Sequence, residues 1–472
     1  MIYVHAYPFR VDDPERNVRA IIALARHKSL SEGDVLIFPF QALTGTVQDY
    51  WSTRPENKQR NEYWLNKLAV SLAKFPVRVI LPAVLSEGLG VLSIEKGKIE
   101  SLDFQWITGG VAVRREDCRL DYDLNFRAAC VGEAFHASDS SNLIVVDGQG
   151  FMDSKVWLGQ CRVIKNGRTK ANYMAYPQAF TPEDGCVSWL DEHHERFAAM
   201  QMALSLYLKR GRFEKISLGL SGGLDSAVVA ALAASVVGAE NVNAYILPSR
   251  FTSQESFEDA NALARNLGLK LRELPIMPAV EMLSETASRY VPYWADKGLM
   301  QENLQARVRG LFLMALSNAD HSLVLNTGNK SELSVGYCTL YGDMVGGLAP
   351  LADIYKSDLY RMCRSVEYLS RVIPKNILTK APTAELRDNQ KDEDSLPAYE
   401  KLDAVLKDMF EGQMDGKRLR KKYGSELAVR VIKLVKGARF KHIQAPMGVQ
   451  LSSCPVKGLS QAFYEGLLPK QF

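Results

Sequence analysis

Residues 219–233 read GLSGGLDSAVVAALA and gather glycines, hydroxyls and one carboxylate where an apolar run gives way to an alanine-rich one. A strand that ends in a Ser-Gly-Gly turn ahead of a helix aims unpaired backbone N–H groups, and the positive end of the helix dipole, at whatever lies beyond the turn. Phosphate is the ligand such a turn suits. Gly219 and Leu220 lead into the loop and Leu224 begins the helix. Gly222 and Gly223 let the backbone come close where a Cβ would strike a ligand or forbid the required φ. Ser221 and Ser226 supply hydroxyl donors. Asp225 is the odd member, because a bare carboxylate beside a pyrophosphate repels it, and a bridging Mg²⁺ resolves the conflict. The loop lacks the Lys of GxxxxGK[ST], which excludes the usual kinase and GTPase phosphate loop.

This stretch resembles the SGGxDS signature of the PP-loop ATP pyrophosphatases, which cleave ATP between its α and β phosphates and adenylate a substrate. Further segments are together similar to the NAD⁺ synthetases of that superfamily: PSRFTS (248–253), ENLQARVRG (302–310), LNTGNKSELSVGYCTLYGD (325–343) and KDEDSLP (391–397). The resemblance runs from about residue 180 to 447, with its motifs in family order. It implies an ATP- and Mg²⁺-dependent amidation of deamido-NAD⁺ (nicotinic acid adenine dinucleotide).

Each segment also has a reading of its own. In LNTGNKSE a strand ends in a turn bearing a hydroxyl, an amide, a Lys and a Glu, a mixture that holds a nucleotide and a cation at strand C-termini. By resemblance, Thr327 contacts ATP, and Glu332 joins Asp225 at Mg²⁺ or lies against the dinucleotide; Glu332 also reads as a first-turn acid stabilising a helix dipole. ENLQARVRG opens an amphipathic helix with Asn303, Gln305 and Arg307 near one another and Leu304, Val308, Leu311 and Phe312 on the apolar side. An Arg there suits a dinucleotide phosphate or the nicotinate carboxylate, and the resemblance gives Asn303 and Arg307 to deamido-NAD⁺; a plain surface helix is the alternative. Arg250 is expected near the nucleotide, and Lys356 resembles a family Lys that meets ATP phosphates. Thr383 resembles an ATP-contacting Thr. Asp343 and Lys441 resemble groups beside the dinucleotide. KDEDSLP reads either as a flap or as a charged loop.

The implied reaction has two steps. The nicotinate carboxylate attacks the α-phosphate, giving an acyl adenylate and pyrophosphate, and ammonia then displaces AMP. Asp225, Lys356 and Asp343 are its expected catalytic groups, with Asp343 accepting a proton from ammonium.

The elements that position these groups form an α/β chain. Its 472 residues exceed one ordinary core and predict about two domains. The expected division is 1–180 and 181–472, across YPQAFTPEDG (176–185), where Pro, Gly and acid concentrate. In the second part, strands over 215–220, 242–247 and 323–326 alternate with helices over 227–237 and 258–267, the rhythm of a Rossmann-like parallel sheet. In the first part, strands over 35–38, 77–81, 110–113 and 143–146, with a helix around 63–74, suit a layered sandwich.

A net charge of +4 argues against an extended nucleic-acid surface or a polybasic membrane anchor. The basic run 417–422 reads as a solvated helix face. Seven cysteines without a CxxC pair disfavour a zinc site and a disulfide framework. With no long apolar window, a cytoplasmic enzyme is expected, and by family resemblance a homodimer or larger homo-oligomer.

The first part resembles a shortened nitrilase-like glutaminase, an α-β-β-α sandwich, that has lost its catalytic set. FPFQALTG (38–45) carries Phe40 where the family has a Glu base. The segment around 113–117 carries Arg115 where the family has its Cys nucleophile. The loop for the family Lys appears deleted between KGKIESLDFQW and ITGGVAV. Losing all three removes the chemistry. Ammonia therefore becomes the expected nitrogen donor. The alternatives are glutamine, through Cys118, Cys130 or a partner glutaminase; another PP-loop adenylating enzyme; and a non-catalytic scaffold.

Overall fold

The computed structural model describes residues 2–4, 13–27, 30–40, 42–43, 55–85, 88–107, 110–127, 138, 140–146, 149–152, 155–158, 160–174, 191–291, 293–294, 298–457, 459–460, 463–464 and 467. The chain divides into two compact units, Met1–Asp191 and Glu192–Phe472. The stretch expected to link them, 176–185, and Cys130 lie outside the described residues.

In the first unit, β1 (Ile2–Val4), β2 (Asp34–Ile37), β3 (Val77–Leu85), β4 (Gly88–Glu95) and β5 (Lys98–Leu102) form a sheet in that order. It is parallel as far as β3 and antiparallel beyond. Helices α1 (Pro14–Ala25) and α2 (Pro55–Leu72) pack on one of its faces. The start of α1 is fixed by Asp13, whose Oδ1 accepts from the Arg16 N–H at 3.1 Å, with Pro14 following at the first turn. Its buried Val18, Ile21 and Ala25 recur at helical spacing and make the inward stripe.

Strand β3 is buried along nearly its whole length because both faces are covered: Val77, Val79 and Leu81 meet the helices, and Ile80 meets a second sheet. That second sheet is built from β6 (Gln105–Ile107), β7 (Gly110–Val113), β8 (Asp123–Arg127), β9 (Leu143–Val146), β12 (Gln160–Lys165) and β13 (Arg168–Met174). A separate hairpin, β10 (Gln149–Met152) with β11 (Lys155–Leu158), lies between them in sequence, and the short α3 (Arg115–Cys118) follows β7. Side chains of the two sheets, among them Val35, Ile37, Val111, Leu124 and Ile144, share one core. Helix, sheet and sheet are the layers of the nitrilase-like sandwich expected for this half.

The second unit opens with α4 (Glu192–Gly211), then β14 (Lys215–Gly219), α5 (Leu224–Val237), β15 (Val242–Ile246), α6 (Gln254–Leu267), β16 (Leu271–Glu273), α7 (Met277–Tyr290), α8 (Leu299–Asp320) and β17 (Ser322–Val324). The four strands are all parallel, in the order β16-β15-β14-β17. Helix α5 is apolar all round and buried from Ser226 to Ala233, as a helix enclosed by protein must be. The chain runs out from β14 to α5 on one side and reaches β17 on the other, so the crevice past the strand ends opens between β14 and β17, where doubly wound sheets bind ligands.

The remainder is mostly helical: α9 (Lys330–Val335), α10 (Lys356–Ser365), α11 (Glu367–Val372), α12 (Lys375–Thr379), α13 (Tyr399–Phe410), α14 (Gly416–Tyr423), α15 (Ser425–Gly437) and α16 (Arg439–Gln444). The short strands β18 (Leu348–Ala349) and β19 (Met447–Gly448) pair with each other. Among the described residues no helix is long and apolar enough to cross a membrane. The basic run 417–422 falls in α14, with Leu419 its buried apolar member.

One buried charge ties α9 to the C-terminal segment. Lys330, fully buried, donates to Glu411 Oε1 at 2.7 Å, Ser452 Oγ at 2.7 Å and the Cys454 carbonyl at 2.8 Å, and its ammonium pairs with Asp353 at 2.8 Å. Asp353 in turn accepts from the backbone N–H groups of Leu451 and Ser452. Removing the ammonium alone leaves Asp353 as an uncompensated buried charge. Lys330→Met is therefore expected to destabilise the second unit by about 3–5 kcal/mol, read as a lower urea midpoint for its unfolding transition.

Candidate active site

A cavity of about 300 Å³ lies at the β14/β17 crevice, lined by the loop after β14, the turn after β17, one side of α8 and residues 380–386. The loop after β14 is held by its own side chains. Gly223 N–H donates to Ser221 Oγ at 3.2 Å, Ser226 Oγ donates to the Gly223 carbonyl at 3.0 Å, and the two hydroxyls lie 3.1 Å apart. The Ser226 hydroxyl, expected as a ligand donor, thus closes the loop onto itself. Gly222 has the positive φ that was one of its two expected reasons, while its close approach is to a neighbour other than a ligand. Its φ is +75°, and a Cβ there would lie 2.3 Å from the Ser256 carbonyl oxygen of α6, so the close approach is to protein backbone. Gly219, Leu220, Ser221, Gly223, Leu224, Asp225 and Ser226 all line the cavity.

Helix α9 delivers the next groups through a capping box. Asn329 Oδ1 accepts from the Glu332 N–H at 3.0 Å while Glu332 reaches back to the Asn329 N–H. Asn329 Nδ2 then donates to Asp225 Oδ1 at 2.8 Å. Lys356, at the start of α10, pairs with Asp225 Oδ2, and its Nζ lies 3.6 Å from Glu332 Oε1. Asp225, Glu332 and Lys356 therefore meet, Lys356 being bound to the two carboxylates where ATP phosphates had been expected as its partners, and Thr327 lines the same cavity.

Asp392 of KDEDSLP joins them. It is buried, accepts from the Tyr399 hydroxyl at 2.9 Å, and lines the cavity, so this segment includes more than a solvated charged loop. Five carboxylates (Asp225, Glu332, Asp343, Glu385, Asp392) line the cavity against three cations (Arg309, Lys356, Lys380). Burial, reinforced by Asp225, pushes the Glu332 carboxyl up from 4.5 to about 8. Burial alone would lower the Lys356 pKa, but Asp225 and Glu332 outweigh it and raise it.

That surplus of negative charge is the test for a divalent cation. Among the described residues no cluster of three or more His, Cys, Asp or Glu could hold a metal unaided. Mg²⁺ needs less, because it binds through one or two carboxylates with waters and substrate phosphates. Asp225 and Glu332 fit that role.

Asp343 follows the turn that Asn326 holds, Nδ2 donating to the Asp343 carbonyl at 2.7 Å and the Val345 carbonyl at 3.0 Å. Its Oδ1 accepts from the Thr339 N–H at 2.6 Å. Solvent reaches Asp343 through the cavity, yet protein crowds it, and this desolvation pushes its carboxyl up to about 6 against the pull of the Thr339 N–H and Lys441. Thr383 also lines the cavity, its hydroxyl donating to the Gln390 carbonyl at 2.6 Å.

Other expected residues lie elsewhere. Arg250 is exposed and stacks on Phe251, 4.8 Å from the ring centre. Arg307 is exposed and donates to the Leu340 carbonyl at 3.3 Å, while Asn303 Oδ1 accepts from the Thr339 hydroxyl at 2.8 Å. Lys441 donates to the Gly336 and Cys338 carbonyls at 2.7 and 2.6 Å. None of these four lines the cavity. Leu311, assigned to the buried side of its helix, is 60% exposed.

Sequence reasoning missed Arg309, Lys380 and Glu385. Ala306 and Gly310, two small residues four apart, mark the side of α8 that meets the 341–342 backbone, where a Cβ on Gly310 would come within 2.8 Å of the Gly342 carbonyl. Arg307 and Arg309 stand equally far round the helix from that side, so the spacing favours neither; it is the cavity lining that singles out Arg309. Glu385 accepts from the Ser253 and Ser256 hydroxyls at 2.7 and 2.8 Å, and Lys380 pairs with Asp259 at 2.9 Å.

The family model described as NAD synthase matches residues 197–445, more than half of the chain. The chain belongs to the NAD synthase family. A glutamine-dependent NAD(+) synthetase of Thermotoga maritima is 43% identical over 262 residues, 55% of this chain and 45% of that protein. One from Acinetobacter baylyi is 44% identical over 269 residues, 56% of this chain and 49% of its own. This NAD synthase family member thus spans about half the length of the curated relatives it matches. A glutamine-dependent NAD+ synthetase from Acinetobacter baumannii, solved with ADP, has a TM-score of 0.67 at 25% identity and covers 97% of both chains. A Cytophaga hutchinsonii glutamine-dependent NAD(+) synthetase shares the fold, with a TM-score of 0.78 at 15% identity over 99% of this chain and 98% of its own.

Glu332 carries a pH signature. Between about 4.5 and 8 the folded chain holds a proton that the unfolded chain releases. Rising pH therefore removes stability across that window, by up to about 1.4 kcal/mol per unit. Chemical denaturation of the ligand-free protein from pH 5 to about 8 is expected to show this loss, and Glu332→Gln to flatten it.

Proposed function

We propose that this chain is an NAD⁺ synthetase that joins ammonia to deamido-NAD⁺ at the expense of ATP, releasing AMP and pyrophosphate. The observation that carries the reading is the convergence of the 219–226 loop, Thr327, Asp225–Lys356–Glu332 and Asp343 on one cavity at the strand ends. The loop's backbone N–H groups receive the phosphates and Thr327 and Thr383 flank the nucleotide. Asp225 and Glu332 hold Mg²⁺, which supplies positive charge against the polyphosphate. Lys356 offsets the carboxylates between which it sits. The substrate carboxylate, a poor acyl donor because its leaving group would be oxide, becomes reactive once adenylated. Asp343, with its carboxyl near neutrality, takes a proton from ammonium so that neutral ammonia attacks.

Three features of the first unit support ammonia over glutamine, although the relatives above are named for glutamine. Phe40, where a general base is expected, is packed in the inter-sheet core. Arg115, where a nucleophile is expected, is exposed. Cys118 is fully buried in that same core, its thiol facing the Arg115 and Tyr122 carbonyls, and burial pushes its pKa up to about 11. A thiol so placed stays protonated and unreactive. The exposed apolar side chains of α7 and α8, including Met282, Leu299 and Leu311, support self-association as a homodimer.

Steady-state assays with deamido-NAD⁺, Mg-ATP and either donor test the reading. Ammonium is expected to support NAD⁺ formation and glutamine alone is not. Glutamine-driven turnover by the chain alone would establish the rival in which a group of this chain such as Cys130 supplies the nitrogen, and turnover only on adding a separate glutaminase would establish a partner-supplied source. At constant free ammonia, kcat should fall as pH drops through about 6, where Asp343 protonates. Asp343→Asn should lower kcat by about 10²-fold at neutral pH, measured as NAD⁺ formed.

A further inference from the structure

We propose that Arg309 grips the α-phosphoryl oxygens of the nucleotide while the substrate carboxylate is being joined to that phosphorus. The inference rests on the adenylating reading above and assigns its central charge contact to a residue in the middle of α8.

Three cations line the cavity, and two are matched by protein carboxylates. Lys356 is held by Asp225 and Glu332. Lys380 pairs with Asp259 and donates to Ser256 Oγ at 3.0 Å. Arg309 differs. Among the described residues its hydrogen bond is from Nε to the Leu247 carbonyl at 2.9 Å, and Glu385 and Asp343 act on it only from beyond ion-pair distance. That bond orients the guanidinium plane and leaves the two Nη groups of the fork for a ligand. Desolvation lowers its pKa to about 10, so it stays cationic at neutral pH. A charge withdrawn from water without an ion-pair partner is costly to folding, which makes a ligand its natural counter-ion.

Its position is also defined. Leu247 follows β15, beside the loop that receives phosphates, and Asp343 lies on the other side, in the turn packed against Gly310. Gly310 packs against the 341–342 backbone with no room for a Cβ, which would lie 2.8 Å from the Gly342 carbonyl oxygen and 3.1 Å from that of Tyr341, so this turn braces α8 beside Arg309. The guanidinium therefore stands between the nucleotide side and the acyl side of the cavity, where the two substrates are joined.

In that step a carboxylate oxygen forms a bond to the α-phosphorus as the bond from that phosphorus to the bridging oxygen breaks. Pyrophosphate leaves with the electron pair, and no proton or redox partner is needed. Negative charge builds on the non-bridging α-oxygens during the displacement, and a planar fork with two free Nη groups matches two such oxygens. A contact that strengthens in the transition state raises kcat more than it lowers KM.

The test is deamido-NAD⁺-dependent pyrophosphate release from Mg-ATP by the full chain and by Arg309→Ala and Arg309→Lys. Arg309→Ala is expected to lose about 10²-fold or more in kcat, with a smaller change in the KM for ATP and a melting temperature that is not lowered. Added guanidinium ion is expected to restore part of its rate, and Arg309→Lys to fall between the two. Arg309→Ala within threefold of the unsubstituted rate overturns the proposal, as does a loss that guanidinium leaves unrestored. If the unsubstituted chain itself releases no pyrophosphate with deamido-NAD⁺, the functional reading fails and this proposal with it.

Discussion

Lys356 stands among Asp225, Glu332 and Asp392, and each of the four arrives from a different part of the second unit: the helix after β14, the first turn of α9, the start of α10 and the segment before α13. The carboxylates disfavour one another's charge, and Lys356 is the group that offsets this, being itself held cationic by Asp225 and Glu332. The rest of the unit is organised to bring them together. Asn329 caps α9 and bonds Asp225, so one residue sets both the helix start and the direction of the acid. Lys330, next in sequence, faces the opposite way and locks α9 to residues 451–454. Ser331 donates to Asp403 and accepts from the Lys356 N–H, joining α9, α10 and α13. Successive residues of one short helix thus anchor separate parts of the fold.

Much of this was legible in the sequence where local chemistry and position agree. The 219–226 loop reads as a phosphate turn because strand, glycines, hydroxyls and helix all point one way, and Glu332 lies near Asp225 around Lys356, whose pairing with that acid the sequence did not announce. The misreadings share one cause. Arg307 and Arg309 are equally plausible as letters and stand equally far round α8 from its Ala306/Gly310 side, so only the tertiary surroundings separate them: Arg309 lines the cavity and Arg307 is exposed. Leu311 looks like a core residue by spacing, yet α8 offers two apolar sides and this one is exposed. Glu385 and Lys380 sit in a stretch with no periodicity to announce them. Their partners Ser253, Ser256 and Asp259 lie more than a hundred residues earlier, a separation that local patterns do not span.

The first unit illustrates a different kind of legibility. The sequence shows Phe40 and Arg115 at the positions where a base and a nucleophile were expected, and the structure adds what surrounds them. Phe40 and Cys118 belong to a continuous core between two sheets that also contains Val113, Phe126 and Val146. An ionised catalytic group cannot be returned to such surroundings by one substitution, since a charge among these side chains would be driven neutral. Buried Arg78 braces the same region, donating to Ser93 Oγ and the Cys118 carbonyl at 2.7 Å each. The first unit thus has a packed interior at the positions where catalytic groups were expected.

Gly222 shows how rigid the phosphate loop is. With its φ at +75° and the Ser256 backbone against it, the loop is seated on the first turn of α6, and the Ser256 hydroxyl continues to Glu385 and Lys380. Loop, helix and the 380–385 segment thus form one mechanical piece. A nucleotide arriving there meets donors already oriented, so the ordering entropy of binding falls mainly on the ligand's own torsions. A family that acquires new acyl partners is then freer to vary the α8 side of the cavity than this seat, because any change to the seat must be matched on three segments at once.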